Sequence, residues 1–517
     1  MNGGIIAKIR KWIIRLAWIP LVFGVVGYHF IGDIEHGTMG LYESLYATIA
    51  LYFMNPDSDI SNIYVLIAKY SSFLVVADVM FAVFESLHDS LKHIIVSMYN
   101  DSTAVYTDNE GWARVITDYW KHSYLAVPEK HVGKLENTRS HIIMFDDDMK
   151  NLEIYEHCRD NLKKKHTYIM LNHTDPFLMG KFDDPYLHYF NIYEMMARKY
   201  WMENDIFDEV VGNNDTYKIA ITSFEETGRA IFRYGFINNV YTSSQKIEYH
   251  IWGADKSRAL SITKLFEEDR RIENCDSVVF HDNDPIEDMD ILKEMSRIII
   301  TDIDDTRMLQ ELLHERYDKN IYYFSDRGVK LGNIYGKKVI PFGELTRILT
   351  TQNVKKDRLS LQGMLFNYDY LLRIKNSGID KEHEHYNEDT DRLDSANRKN
   401  LSAPTEGIDK KIEKDIRDAW KELNGFLKGS NIARADHYWI EKKLADEGKA
   451  DNEEICIIEH NRWCRYHLIN GWKYGKEKDR EKGTHPLLVP YDELGEDEKM
   501  KDDIFDPVIK NEIEKLL

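Results

Sequence analysis

The strongest constraint on this chain is a pair of apolar segments near its start. Trp12–Phe30, broken only by Arg15, and Ile60–Phe84 are each long enough to cross about 30 Å of hydrocarbon. Both are expected to be transmembrane helices. A cleaved signal peptide fits the first poorly, because its apolar run is long and no small-x-small cleavage pattern precedes Asp33. Lys8, Arg10, Lys11 and Arg15 lie before the first segment or at its start, whereas the stretch between the two holds Asp33, Glu35, Glu43, Asp57 and Asp59 and no lysine or arginine. The positive-inside rule therefore puts both termini in the cytoplasm.

Between these segments, Leu41–Met54 is apolar but short for a span. Span, short helix, span is the layout of a two-helix ion-channel pore; an amphipathic helix lying on the outer surface would read the same way. The following Asn55-Pro56-Asp57-Ser58-Asp59 has no glycine, so a potassium filter of backbone carbonyls is not expected, while an acidic mouth favours cations. Lys69 and Asp78 interrupt the second segment. Lys69 is placed to snorkel outward, whereas Asp78 needs a partner helix or a water-filled cavity. Glu43, Asp57, Asp59, Lys69 and Asp78 are the candidate pore residues.

Beyond Glu85 the hydropathy falls and a βα rhythm begins. Strands are expected at Thr103–Tyr106, His141–Phe145 and Tyr168–Leu171, and then at Lys218–Thr222, Glu248–Trp252, Ser277–His281, Arg297–Thr301, Ile321–Phe324 and Lys338–Ile340. Ile142–Asp148 echoes Ile298–Asp304, so the two series read as tandem Rossmann-like α/β lobes, the first trimmed. Two such lobes after a two-helix pore resemble the potassium-channel regulatory domain, also called RCK or TrkA-N. That resemblance implies NAD or nucleotide binding at the first βα turn. The residues argue against it: the three glycine slots hold Thr107, Asn109 and Trp112 in one lobe and Ser223, Glu225 and Gly228 in the other, with a carboxylate where phosphate would sit. NAD is not expected, and the lobes read as a dimerising, force-transmitting scaffold. The strand-end aspartates, Asp146–Asp148 and Asp302–Asp305, are expected to cap helices in preference to gathering a metal.

At 517 residues there is room for about three domains. A net charge of −20 opposes binding to a nucleic-acid polymer. The four cysteines show neither C-x-x-C spacing nor a disulfide framework. No H-E-x-x-H, G-x-S-x-G or Walker loop occurs, so no enzyme is expected. Lys375–Asp409 is charged and poor in branched apolar residues, and reads as a flexible linker carrying a terminal domain. The expected organisation is a membrane segment (1–90), a first lobe with connecting helix (91–212), a second lobe (213–374), a linker (375–408) and a small, mainly helical domain (409–517).

In that last domain Glu453–Ile469 has helical periodicity, which brings Glu459, Trp463, Tyr466 and His467 to one face or beside it. Gly471 and Gly475 bracket Trp472 and Tyr474 in a turn. Rings for stacking, with Arg462, Arg465 and Lys476 as donors to phosphate, suit a base-plus-phosphate ligand. The same tryptophans would also serve as the core of a small helical domain.

The strings E-H-N-R-W (459–463), G-W-K-Y-G (471–475) and H-P-L-L-V-P-Y-D-E-L (485–494) resemble the ryanodine-receptor repeat, or RyR domain. The likeness extends upstream through Trp420 and Lys428–Asn431 to Leu444. It implies a nucleotide-derived ligand, with Trp463 as the stacking residue and Asn431, His437, Glu459, Arg462, Arg465, Tyr466, His467, Trp472, Tyr474, Lys476 and Tyr491 as further candidates. Such repeats occur in tandem in the receptors, so a single copy implies a pocket completed by a second protomer or a neighbouring domain. The whole layout resembles membrane effectors of prokaryotic nucleotide-signalling defence systems. That implies a homo-oligomer, dimer or tetramer, in the inner (plasma) membrane. A housekeeping cation channel or transport regulator, and a membrane-tethered nucleotide-processing enzyme, are the alternatives.

Overall fold

The computed structural model describes residues 18–126, 138–174, 186–328, 339–377 and 408–517, apart from positions 54, 56, 57, 273, 304, 316, 356, 357, 500–502 and 505 and the side chains of 81–93, 377 and 497. Two compact units result, Met1–Tyr99 and Asn100–Leu517. Asp57, the basic residues at the start of the first apolar segment, and most of the expected linker lie outside the described residues.

In the first unit, α1 (Ile19–Val25) continues as a π-helical turn over Val26–Ile31; α2 (Leu41–Tyr52) and the long α3 (Ile63–Ser97) follow. Among the described residues one helix, Ile63–Met80 within α3, is long and apolar enough to cross a membrane; Ile19–Ile31 is apolar but shorter. The short α2 packs on both neighbours, burying Ser44, Ala47, Thr48 and Leu51. Glycines make the close approaches: a Cβ on Gly24 would stand 2.5 Å from Thr48 Cγ2, and one on Gly27 2.7 Å from Val65 Cγ2. Asn62 caps α3 through Tyr64 N and Val65 N, and its amide donates to Gly27 O at 2.8 Å and Gly32 O at 2.9 Å. One side chain thus joins the start of α3 to the end of the first helical arm. Glu43 accepts from Gly40 N at the start of its own helix. Asp59 is exposed, and Lys69 and Asp78 are half-buried along α3.

The second unit holds both α/β lobes. Lobe one is a parallel sheet in the order β2-β1-β3-β4-β5, made of β1 (Thr103–Tyr106), β2 (Ser123–Leu125), β3 (Ser140–Ile143), β4 (His166–Met170) and β5 (Leu187–Phe190). Its helices are α4 (Glu110–Tyr119) and α5 (Asp148–Leu162). The lobe is less trimmed than expected, because β2 and β5 are edge strands of three and four residues, too short to stand out in the sequence. α6 (Ile192–Glu203) connects the lobes.

Lobe two contains β6 (Tyr217–Ile221), α7 (Glu226–Asn238), β7 (Ile247–Trp252), α8 (Lys256–Arg270), β8 (Ser277–His281), β9 (Arg297–Ile300), α9 (Thr306–His314), β10 (Ile321–Phe324) and β11 (Val339–Phe342). Its order, β8-β7-β6-β9-β10-β11, is that of the doubly wound dinucleotide fold. The runs of valine, isoleucine and aromatic residues in these strands match a parallel sheet covered on both faces.

The remainder is helical: α10 (Thr351–Lys355), α11 (Arg358–Ser377), α12 (Lys410–Glu422), α13 (Gly425–Asp446), α14 (Asn452–Ile469) and α15 (Pro507–Glu514), with a small ladder of β12 (Lys473–Tyr474) and β13 (Thr484–His485). α11 packs with α12, α13 and α15 around Phe366, Tyr368, Ile416, Tyr438 and Ile509. One apolar core runs from Val105 and Ile142 through Met196 and Trp201 to Ile219 and Tyr249, and on to Ile440, Leu444 and Ile458. The terminal domain therefore shares the core of the lobes. That replaces the expectation of a domain free to dock and undock on a tether.

Candidate ligand site

The first βα turn of lobe one, and later strand-end turns in each lobe, are capped by the chain's own side chains, whereas Glu225 at the first turn of lobe two makes no such bond. Asn109 caps α4 through Gly111 N and Trp112 N, Asp147 caps α5 through Met149 N, and Asp305 caps α9 through Met308 N. Asp148 accepts from Asn172, His173 and Thr174 N–H groups at 2.9, 2.9 and 2.7 Å, which pins the loop after β4. Donors at these helix N-termini are thus met internally. At the first turn of lobe two, a Cβ on Gly228 would stand 1.9 Å from Ser223 O, so that glycine serves close packing.

The aromatic grouping lies on α14 and the turn after it. Trp463 is half-buried and contacts His467 at 3.9 Å, His485 at 5.1 Å and His460 at 5.9 Å between ring centroids. Trp472 lies 5.7 Å from His467, 6.1 Å from His485 and 5.3 Å from Phe426. Periodicity explains part of this: Trp463 and His467 are one turn apart, and the β12–β13 ladder returns His485 to them.

The imidazoles are fixed in their tautomers. His467 Nδ1 donates to Trp463 O at 2.9 Å, which leaves the lone pair on Nε2. His485 Nδ1 accepts from Leu487 N at 3.1 Å, which puts its proton on Nε2. Burial, with His485 adding to it, holds His467 well below the usual histidine range, and burial lowers His460 too. Two indoles therefore flank the neutral imidazoles of His467 and His485.

The arginines expected to reach a phosphate are spent elsewhere. Arg462 donates Nε and Nη2 to Glu459 at 2.7 and 2.8 Å, with both residues buried. Arg465 donates to Asp276 Oδ2 at 2.7 Å and to Phe236 O at 3.1 Å, both in lobe two. Each guanidinium already has a carboxylate, so the rim cations are the exposed Lys473 and Lys476.

Of the other candidates, Tyr474 is exposed beside them, and Tyr491 is buried with its ring 5.9 Å from His460. Tyr466 donates to Phe426 O at 2.9 Å, which holds that ring against Trp472. Asn431 on α13 lies with its backbone against Gly363 of α11, and its amide donates to Leu427 O at 2.9 Å. His460, His485 and Phe426 join the cluster without having been expected as site residues. The His485-Pro486 step was the available signal for one of them.

His437, Glu441 and Glu459 bring one potential metal-ligand atom each to within 4.8 Å of one another, all buried. Charge decides against an ion. His437 Nε2 faces Val240 O at 2.8 Å and so bears a proton, and Nδ1 shares another with Glu441 at 3.2 Å. Burial pushes Glu441 up. It acts on Glu459 in the same sense, but Arg462 and Arg434 outweigh it and hold that carboxyl at about 2. With Arg434 and Arg462 beside Glu459 and a proton shared between His437 and Glu441, the two carboxyl groups are already met by positive charge and call for no divalent cation.

Residues 441–508 match the RyR domain family. The C-terminal region thus carries a RyR domain, and Trp463, Trp472, His467 and His485 all belong to the matched span. Comparison with curated proteins finds no match. Among solved structures, a dipicolinate synthase subunit from Bacillus halodurans aligns with 50% of this chain and 97% of its own, at 8% identity and a TM-score of 0.22. The matched span is joined to lobe two through Arg465, and the helix leading into it through the His437 bond to Val240 O and through Asn238 Nδ2, which donates to Asp436 at 2.7 Å.

Proposed function

We propose that this protein is a ligand-gated membrane effector whose RyR domain captures a nucleotide-derived messenger. The α/β lobes pass the event to the membrane segment, which conducts ions or disrupts the bilayer. Antiviral defence is the setting that this layout implies by resemblance.

One observation carries the reading. Two indoles and two tautomer-fixed neutral imidazoles gather on an RyR domain that shares a buried core with the lobes. Indole faces stack on a nucleobase, and Lys473 and Lys476 at the rim meet phosphate. Because Arg462 and Arg465 are sequestered, recognition rests mainly on the base, and affinity should depend only moderately on salt.

The test is calorimetric titration of the full chain in detergent with adenine nucleotides, cyclic oligonucleotides and ADP-ribose derivatives. The isolated C-terminal fragment is a poor substitute, since it would expose Ile440, Leu444 and Ile458. Saturable binding that is lost in Trp463→Ala supports the reading. Binding that persists in that variant, or none across the panel, removes the sensor.

A further inference from the structure

The segment leading from lobe two to the RyR bundle is fastened to lobe one. Trp120 donates its Nε1–H to Leu349 O at 2.8 Å, and Val354 is buried in the shared core. Lys355, the last residue of α10, donates to Thr103 Oγ1 at 2.5 Å and lies 5.4 Å over the Trp120 ring. Thr103 opens β1, shortly after the membrane helix α3 ends at Ser97. Its N–H is bonded to His122 O at 2.9 Å, and His122 Nδ1 meets Asp101 Oδ1 at 2.7 Å.

A lysine is a costly way to fill this place. Its long side chain loses rotamer freedom and its ammonium loses water, whereas a methionine on Trp120 would avoid the second cost. Burial lowers the Lys355 ammonium to about 8, with Asp101 opposing the shift. What the ammonium adds is a directed bond to the residue where lobe one takes over from the membrane helix.

The next helix in the chain, α11, is locked into the RyR bundle. A Cβ on Gly363 would stand 3.3 Å from Asn431 C, Ile432 N and Trp420 Cη2, so α11 and α13 touch almost backbone to backbone. The Arg434 guanidinium lies 4.8 Å over the Phe366 ring of α11 and 3.6 Å from the Glu459 carboxylate of α14. Glu459, Arg434 and Phe366 are thus in contact at the RyR end, and Lys355 and Thr103 at the lobe-one end, with α10 and α11 consecutive in the chain between them.

We propose that α10 and α11 act as a lever between the RyR bundle and the start of lobe one, with Lys355 as its anchor on Thr103. Displacement of α13 and α14 is delivered through the lever to the residues that follow the membrane helix. Its use in signalling rests on the RyR domain being the sensor; the mechanical link itself needs no ligand.

The test is hydrogen–deuterium exchange on the full chain in detergent, following peptides over residues 100–106. Gly363→Leu forces α11 off α13, and the cycle compares it alone, with Lys355→Met, and with Lys355→Arg. Gly363→Leu should speed exchange at 100–106 by about tenfold, by less than about twofold when Lys355 is methionine, and again by most of the tenfold with arginine. Equal effects with and without Lys355, or a response confined to α11 and α13, would overturn the lever. If the leucine variant does not fold, Gly363→Ala gives the same cycle with a smaller push. Failure of every nucleotide to bind would leave this result standing, so the two readings fail separately.

Discussion

The guanidinium of Arg465 on α14 and the carboxylate of Asp276, just before β8, meet at 2.7 Å with both side chains fully buried. A second carboxylate, Asp269 at the end of α8, approaches the same guanidinium at 3.5 Å. The pair sits two positions from Trp463 in the helix that carries the candidate site, so α14 is joined to lobe two by charge as well as by apolar packing. Any motion of Trp463 must either carry lobe two with it or break this contact.

Removing one partner should therefore be severe. Asp276→Ala leaves Arg465 buried without its carboxylate and also strips Gln245 and Ile247 N of an acceptor. A loss of about 3–5 kcal/mol is expected, read as a lowered denaturation midpoint of the full chain. A change near zero would show that the contact is solvated.

Asp269 gives a pH signature of definite sign. Burial, with Arg465 opposing and Asp276 reinforcing, pushes its carboxyl up to about 6 from 3.8. Between those values the folded state binds more protons than the unfolded one, so this group's contribution is full in acid and is lost as pH rises toward and through 6. Asp269→Asn lacks that loss. Its melting temperature relative to the parent chain should climb from pH 4 to about 6.5 and then level; a flat difference would contradict the burial argument.

Much of the fold was legible because burial on both sheet faces forces long apolar strands. The six strands of lobe two stand out, with β11 shifted toward Phe342. The edge strand Ser123–Leu125 carries no such signal: it is three residues long, and its buried serine is accommodated by hydroxyl bonds to the Ile116 and Trp120 carbonyls. At the site, helical spacing correctly joined Trp463 to His467, and the Glu459–Arg462 pair is local on α14. The fate of Arg465 was not legible: its partners lie nearly two hundred positions upstream, and a basic residue bound for a buried carboxylate looks the same in sequence as one bound for phosphate.

Rim and core cations are separable by substitution. Lys476→Glu should weaken a phosphate-bearing ligand by about tenfold while leaving the parent nucleoside within about twofold, with stability unchanged, because Lys476 is exposed. Arg462→Lys should instead cost about 2–4 kcal/mol of stability, since lysine cannot reproduce the two bonds to Glu459. Calorimetry and thermal denaturation of each variant decide, and the opposite partition would return Arg462 to the ligand.

In the first unit, Asn62 joins the start of α3 to the end of the first helical arm. Asn62→Asp retains the cap of α3 but loses the amide bonds to Gly27 and Gly32, whereas Asn62→Ala loses both. Melting of the full chain should rank the parent above Asp and Asp above Ala, with the cap worth about 1 kcal/mol. Equal effects would mean that the bridging amide contributes nothing.

The most direct test of the central claim is ion flux from vesicles reconstituted with the full chain, before and after addition of a nucleotide that binds it. Flux should begin only with nucleotide, stay absent in Trp463→Ala, and fall steeply in Lys355→Met with binding retained. Nucleotide bound at full occupancy with no change in permeability would contradict the account.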